Sequence, residues 1–334
     1  MLSGKILVAL GLLLAVSTQC LAQGTSLTLL NVSYDPTREV WRDINSNFIP
    51  HYEKEKGVKL TINQSHGGSS TQARAVIDGL EADVVTLASF LDTDAICKKG
   101  LIKEGWVDRF PNHSLPYFST IVFVVRKGNP KGIKDWPDLV KPGVAIITPN
   151  PKTSGNGYLS FFSAWGSVVL RGGSRQDAVN YVTKLYQQVP VLDSGARGSS
   201  TTFTQKGIGD VHLSWENEAR LEVAEAKGDL DLVYPPISIR AEPQVAVVDA
   251  TVDRAPGHRE AAEAYLKYTY TDEGQEIFAK HFYRPSNKAV LKKYAATFPE
   301  IRLFAITEIA KDWSDAHKQF IGDGGVFDSI YKPK

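Results

Sequence analysis

Three short stretches of the 334-residue chain carry the residue types that a main-chain anion site needs. They are Ser65-His-Gly-Gly-Ser69, Thr153-Ser-Gly-Asn156 and Ser194-Gly-Ala-Arg-Gly198. At a helix N-terminus the first amides have no intrahelical acceptor, and the helix dipole adds partial positive charge; together they attract an anion. Gly lets the backbone come close, and Ser adds a hydroxyl donor. Taken singly, each stretch is an ordinary helix cap, because Ser and Gly favour such positions anyway. Several of them converging on one crevice read as a ligand site. Competing chemistries lack their signatures: the chain has no G-x-x-x-x-G-K-[ST] loop, no G-x-S-x-G elbow and no H-E-x-x-H pair. Its seven His are never closer than 15 positions apart, so short metal-ligand spacing is absent, and neither metal nor cofactor is expected. An exported serine hydrolase using Ser65 or Ser69 is the alternative from another class. Sequence neighbours such as Ser65 and His66 rarely form a triad, however, and an enzyme is not expected.

The elements that must hold these stretches alternate strand with helix. Leu27–Val32, Val58–Ile62 and Ala82–Leu87 read as strands, the last in the near-continuous apolar style of a buried parallel strand. Asp35-Pro36 reads as N-cap and first residue of a helix whose one face carries Val40, Trp41, Ile44, Phe48 and Tyr52, with Pro50 bending its last turn. A second helix is expected from Thr71. Further strands are expected at 119–125, 144–148, 189–192, 210–215 and 244–248, and beyond Gly257 the pattern is almost wholly helical. The fold class is therefore α/β, with two lobes, each a mostly parallel sheet flanked by helices. Residues 23–118 and 245–334 are assigned to lobe 1 and 119–244 to lobe 2, with crossover strands near 119–125 and 244–248. Ligands of open α/β sheets sit outside the carboxyl ends of the strands. Five junctions there are rich in Ser, Gly, Thr or Asn: 33–37, 64–71, 148–157, 193–202 and 213–216.

The first 22 residues are expected to lie outside the fold. A basic start through Lys5, an apolar run from Ile6 to Val16 and a compact Cys20-Leu-Ala22 make a signal peptide cleaved after Ala22. Eleven apolar residues fall short of the roughly 20 that a spanning helix needs. Export follows. The chain has 38 Lys+Arg against 37 Asp+Glu, and losing residues 1–22 removes only Lys5, so the remainder is neutral. Such a balance excludes general nucleic-acid binding and gives only modest long-range attraction for an anion. Cys97 then remains as the single cysteine, which excludes an intramolecular disulfide.

Five segments in order carry a family resemblance: Asn31-Val-Ser-Tyr-Asp-Pro-Thr-Arg-Glu39, Gln64-Ser-His-Gly-Gly-Ser69, Ile146-Ile-Thr-Pro-Asn-Pro-Lys152, Val191-Leu-Asp-Ser-Gly-Ala-Arg-Gly-Ser199 and Gly207-Ile-Gly-Asp-Val211 with Trp215-Glu-Asn-Glu218. Together they resemble the bacterial periplasmic sulfate-binding proteins, the receptors of sulfate/thiosulfate ABC importers. The resemblance implies the two-lobed class II binding-protein fold, a monomer closing over sulfate or thiosulfate, and delivery to an inner-membrane permease. It implies donors at the Asp35 amide, at Ser69, at Ser154 with the amides of Gly155 and Asn156, at the Ala196 amide and at the Trp215 indole. Asn156 stands where the family commonly has Gly. Sulfate is fully deprotonated at neutral pH and needs donors only, whereas protonated phosphate would profit from an acceptor. Asp35 fits that rule if its carboxylate turns toward its own helix, and His66 is given a framework role. Another tetrahedral oxyanion, molybdate or phosphate, is the alternative within the same fold.

Overall fold

The computed structural model describes residues 26–331, so the expected signal peptide lies outside the described residues. Two four-stranded sheets organise the chain. In the first, Ser26–Tyr34 lies between Lys59–Gly67 and Val84–Thr86, parallel to both, and Val245–Val247 closes the edge antiparallel to Val84–Thr86. In the second the order is Ile146–Ile147, Val211–Trp215, Ile121–Arg126, Leu230–Val233. Here the expectation of a mostly parallel sheet fails. Ile146–Ile147 is parallel to Val211–Trp215, but Ile121–Arg126 runs against both of its neighbours. That strand arrives straight from the first lobe and enters the sheet from the end opposite to the strands beside it.

Local chemistry explains several boundaries. The helix Arg38–Lys56 buries Val40, Trp41, Ile44, Phe48 and Tyr52 and ends on Gly57 in the left-handed region (φ 66°), where Gly carries no steric penalty. Pro50 sits inside it without ending it. The second helix begins at Ser69, two residues before the expected Thr71. No strand forms at 189–192. Pro190 cannot donate to a ladder, and the chain there is tied by single bonds instead, Ile146 N to Gln188 O (2.9 Å) and Asn150 N to Asp193 O (2.8 Å).

The two largest apolar cores differ in which parts of the sequence they draw on. The first gathers Trp41, Phe48, Tyr265 and Phe278 around the first sheet. The second gathers Trp136, Phe161, Phe162 and Trp165 with Phe304, Trp313, Phe320 and Phe327. The end of the chain, expected with the first lobe, therefore packs on the second: Arg302–Phe304 pairs in parallel with Ile237–Ile239. Burying large aromatic side chains outweighs chain proximity to the first lobe. Between the lobes, Tyr117–Phe118 pairs with Arg284–Pro285, and Ser119 bridges to Ala241. Among the described residues, no helix is long and apolar enough to cross a membrane, and no group of three or more His, Cys, Asp or Glu could hold a metal ion.

Candidate functional site

Glycines show where the junctions meet. A methyl group on Gly155 would lie 2.5 Å from Ala88 Cβ and 3.7 Å from Ser69 Cβ. One on Gly68 would lie 2.8 Å from Thr153 O and 3.5 Å from Ser194 O, and one on Gly195 only 2.7 Å from Asp35 Oδ2. Real Cβ atoms do not approach so closely, so Gly68 and Gly155 require Gly, whereas at Gly195 the Asp35 carboxylate would have to turn aside. The segments holding Asp35, Ser69, Ser154–Asn156 and Ala196 thus converge closely from both lobes, with main chain against main chain at Gly68. Trp215 joins them through Tyr34, the neighbour of Asp35: the rings stand 5.4 Å apart, and Trp215 is fully buried.

Each helix start has its own local cause. Ser154 caps the helix Gly155–Val169, its hydroxyl accepting from Gly157 N at 3.5 Å, so its own proton is free. Gly195 precedes the helix Ala196–Thr204 and supplies no side-chain cap, which leaves the first amides open. Asp35 departs from the expected N-cap. Tyr34 precedes a 3-10 turn, Asp35–Thr37, and the carboxylate makes no cap bond. It turns to its own helix in another way, with Oδ1 accepting from Arg38 at 3.0 Å while Oδ2 rests against Gly195. Pro36 has no N–H to offer a capping oxygen in that first turn.

Ser69 is placed differently from a simple donor. Its Oγ donates to Asp92 Oδ2 at 2.5 Å and accepts from Ala88 N at 3.0 Å. Asp92 also accepts from Ser70 (2.8 Å), Ser89 (3.2 Å) and, across the cleft, Tyr158 (3.2 Å). Burial pushes its carboxyl up, and the four hydroxyls pull it back only in part. Neither candidate hydrolase serine touches a histidine: Ser65 Oγ bonds Gln72, and Ser69 Oγ bonds Asp92. Burial, with Arg38 and Arg197 nearby, holds the His66 imidazole down to about 4, so it is neutral.

Sequence reasoning missed two clusters. One is Asp92 with Tyr158; the available signal was Ser89-x-x-Asp92, a capping-box spacing, but the hydroxyl partners come from four separate positions. The other lies where Arg197 from the second lobe faces Glu39 from the first, 3.8 Å apart. Glu39, Arg197, Glu218, Glu222 and Glu225 line a cavity of about 140 Å³ there. Burial raises the Glu218 carboxyl to about 8; Arg197 opposes that shift, while Glu222, Glu39 and Asp35 add to it.

With this geometry in hand, the comparisons with known proteins are specific. A model of the bacterial extracellular solute-binding proteins matches residues 39–284. The chain belongs to that family. The sulfate-binding protein of Salmonella typhimurium is 51% identical over 322 residues, covering 96% of this chain and 97% of that one. The thiosulfate-binding protein of Pseudomonas aeruginosa is 50% identical over 307 residues, covering 91% and 92%. Among solved structures, the sulfate-binding protein SubI from Mycobacterium tuberculosis superposes with a TM-score of 0.78 at 31% identity, covering 89% of this chain and 99% of that one. The two-lobed fold of this solute-binding protein is the one those relatives share.

Proposed function

We propose that this solute-binding protein is an exported, periplasmic receptor that holds sulfate, and also thiosulfate, between its lobes and delivers it to an ABC importer permease. The observation that carries this is the convergence of the open helix starts at Gly155 and Ala196 with Asp35 and Ser69, packed so closely that Gly68 and Gly155 admit no side chain. The nearby carboxylates already have partners: Asp92 has four hydroxyls and Asp35 has Arg38. Asp92 is committed to those hydroxyls, and a fully deprotonated dianion needs no acceptor. The relatives' names, at about half identity over nearly the whole chain, support the same ligand class. In this reading the ligand shell is Asp35, Ser69, whose hydroxyl proton turns from Asp92 to the anion on binding, Ser154, Gly155, Asn156, Ala196 and Trp215, the protein works as a monomer, and it performs no catalysis.

Calorimetric titration with sulfate, thiosulfate, molybdate and phosphate tests it. Sulfate and thiosulfate are expected to bind and phosphate to fail; phosphate binding better than sulfate would overturn the reading. In the same series Trp215→Phe is expected to lose about 1.5–3 kcal/mol of sulfate affinity, the worth of a hydrogen bond to a charged group. Unchanged affinity would remove Trp215 from the shell.

A further inference from the structure

The strand Val211–Trp215 runs straight into the helix Glu216–Glu225, and the first two residues of that helix are held from outside the second sheet. Glu216 is fully buried and takes Arg284 in a two-pronged pair, Nε to Oε2 at 2.6 Å and Nη2 to Oε1 at 2.9 Å. Tyr234 adds a third bond to Oε1 at 2.9 Å, and Arg284 Nη2 also donates to Pro299 O at 3.0 Å. Asn217 Nδ2 donates to the Tyr283 hydroxyl at 2.9 Å. That hydroxyl donates its own proton to Pro36 O, at 2.7 Å.

The Tyr283 hydroxyl thus joins two points that the fold brings from opposite lobes. Pro36 follows Asp35 in the 3-10 turn Asp35–Thr37, which has no side-chain cap. Asn217 comes two residues after Trp215, on a helix whose Ala219 packs with Val122 and Val124 of the second sheet. The Tyr283 ring belongs to the first core, where it stands 4.7 Å from Tyr117 and 6.3 Å from Phe278. Arg284 pairs with Phe118 at the crossover between the lobes. A tyrosine hydroxyl has one proton, so with that proton on Pro36 O the Asn217 side chain must present its amide hydrogens. Asn217 and Tyr283 are both buried, and little water competes for the bonds that join them to Pro36.

We propose that Tyr283 is a positioning residue whose hydroxyl fixes the spacing between the Asp35 amide and the Trp215 indole, and so sets the preference for sulfate over molybdate. The proposal rests on the oxyanion-receptor reading. Both ions are unprotonated tetrahedral dianions, so charge and donor count do not separate them, but molybdate is the larger. Two donors held at a fixed spacing by buried bonds fit the smaller ion, and a larger one must push them apart.

Calorimetric titration of the wild-type protein, Tyr283→Phe, Asn217→Ala and the double variant with sulfate and with molybdate tests it. The wild type is expected to favour sulfate. Tyr283→Phe keeps the ring in its core and removes the oxygen; it is expected to weaken sulfate about tenfold and molybdate less than about threefold. Asn217→Ala should narrow the ratio in the same direction, and adding it to Tyr283→Phe should cost little more, since the bond between the two is already gone. A ratio unchanged in Tyr283→Phe, even with a lower melting temperature, would show a purely structural role and overturn the proposal. Losses that add in full in the double variant would overturn it too. A wild type that bound the two ions equally would sink this proposal alone, whereas one that bound no sulfate would take the receptor reading with it.

Discussion

Two corners of the cleft bury carboxylates, and they handle the same problem in opposite ways. At one, Asp92 is ringed by the hydroxyls of Ser69, Ser70, Ser89 and Tyr158. At the other, around a small cavity, burial lifts the Glu218 carboxyl to about 8, with Arg197, which stands 3.8 Å from Glu39, opposing the rise and Glu222 and Glu39 adding to it. Removing a carboxylate from water is expensive unless hydrogen bonds or a partner charge replace the lost hydration. The Asp92 corner replaces it with neutral donors, which add no charge near a crevice meant for an anion. At the Glu218 corner burial, with neighbouring carboxylates adding to it, outweighs the pull of Arg197, and keeping a proton is the cheaper state. One corner is built from bonds, the other balanced by a proton.

The largest expected effect is at the bonded corner. Asp92→Ala would strip the acceptor from three buried hydroxyls, Tyr158 across the cleft among them, and from the half-buried Ser70, and should lower unfolding free energy by about 2–4 kcal/mol in urea titrations. Asp92→Asn keeps an acceptor in place and should lose much less. Equal losses in the two variants would show that charge, and not acceptor capacity, holds that corner.

Burial raises the Asp92 and Glu218 carboxyls alike, so both give stability that is greatest at low pH, and for Glu218 the window reaches to about pH 8. Below the ordinary carboxylate range both folded and unfolded chains hold the proton; from there to about pH 8 only the folded chain does. Folding then takes up a proton, so stability is full at low pH, falls by up to about 1.4 kcal/mol per pH unit, and levels off above about 8. Glu218→Gln should remove that slope and leave a protein more stable than wild type at pH 7. Parallel pH–stability curves for the two proteins would break the contrast between the corners.

The two corners also mark how far the sequence could be read. Ser65–Ser69, Thr153–Asn156 and Ser194–Gly198 were legible because capping and close approach are local: Gly and Ser show their use within a few residues. Asp92 was not, because its partners stand at 69, 70, 89 and 158 and only folding brings Tyr158 to it. Glu218 sat in view within Trp215-Glu-Asn-Glu218, but its raised carboxyl comes first from burial, with Glu222, Glu39 from the other lobe and Asp35 adding to it and Arg197 opposing it. For the fold, the strand and helix alternation carried the two-lobed architecture. Strand direction in the second sheet and the docking of Phe304–Phe327 on the second lobe depend on long-range packing that periodicity does not encode.

His66 provides the smallest and most discriminating effect, because it stands near Arg38 and Arg197 without entering either corner's network. Its folded imidazole is held to about 4, below the ordinary histidine range. Between those values the unfolded chain binds the proton and the folded chain does not. The resulting stability is present at neutral pH and lost as pH falls toward 4, the reverse of the Glu218 slope. His66→Gln should flatten the acid side of the pH–stability curve while changing sulfate affinity by less than about threefold, since a framework residue makes no bond to the anion. A tenfold loss of affinity in that variant would move His66 from the frame into the ligand shell. It would also tie the neutral imidazole to the anion itself, since a ring nitrogen that binds a dianion must carry its hydrogen toward it.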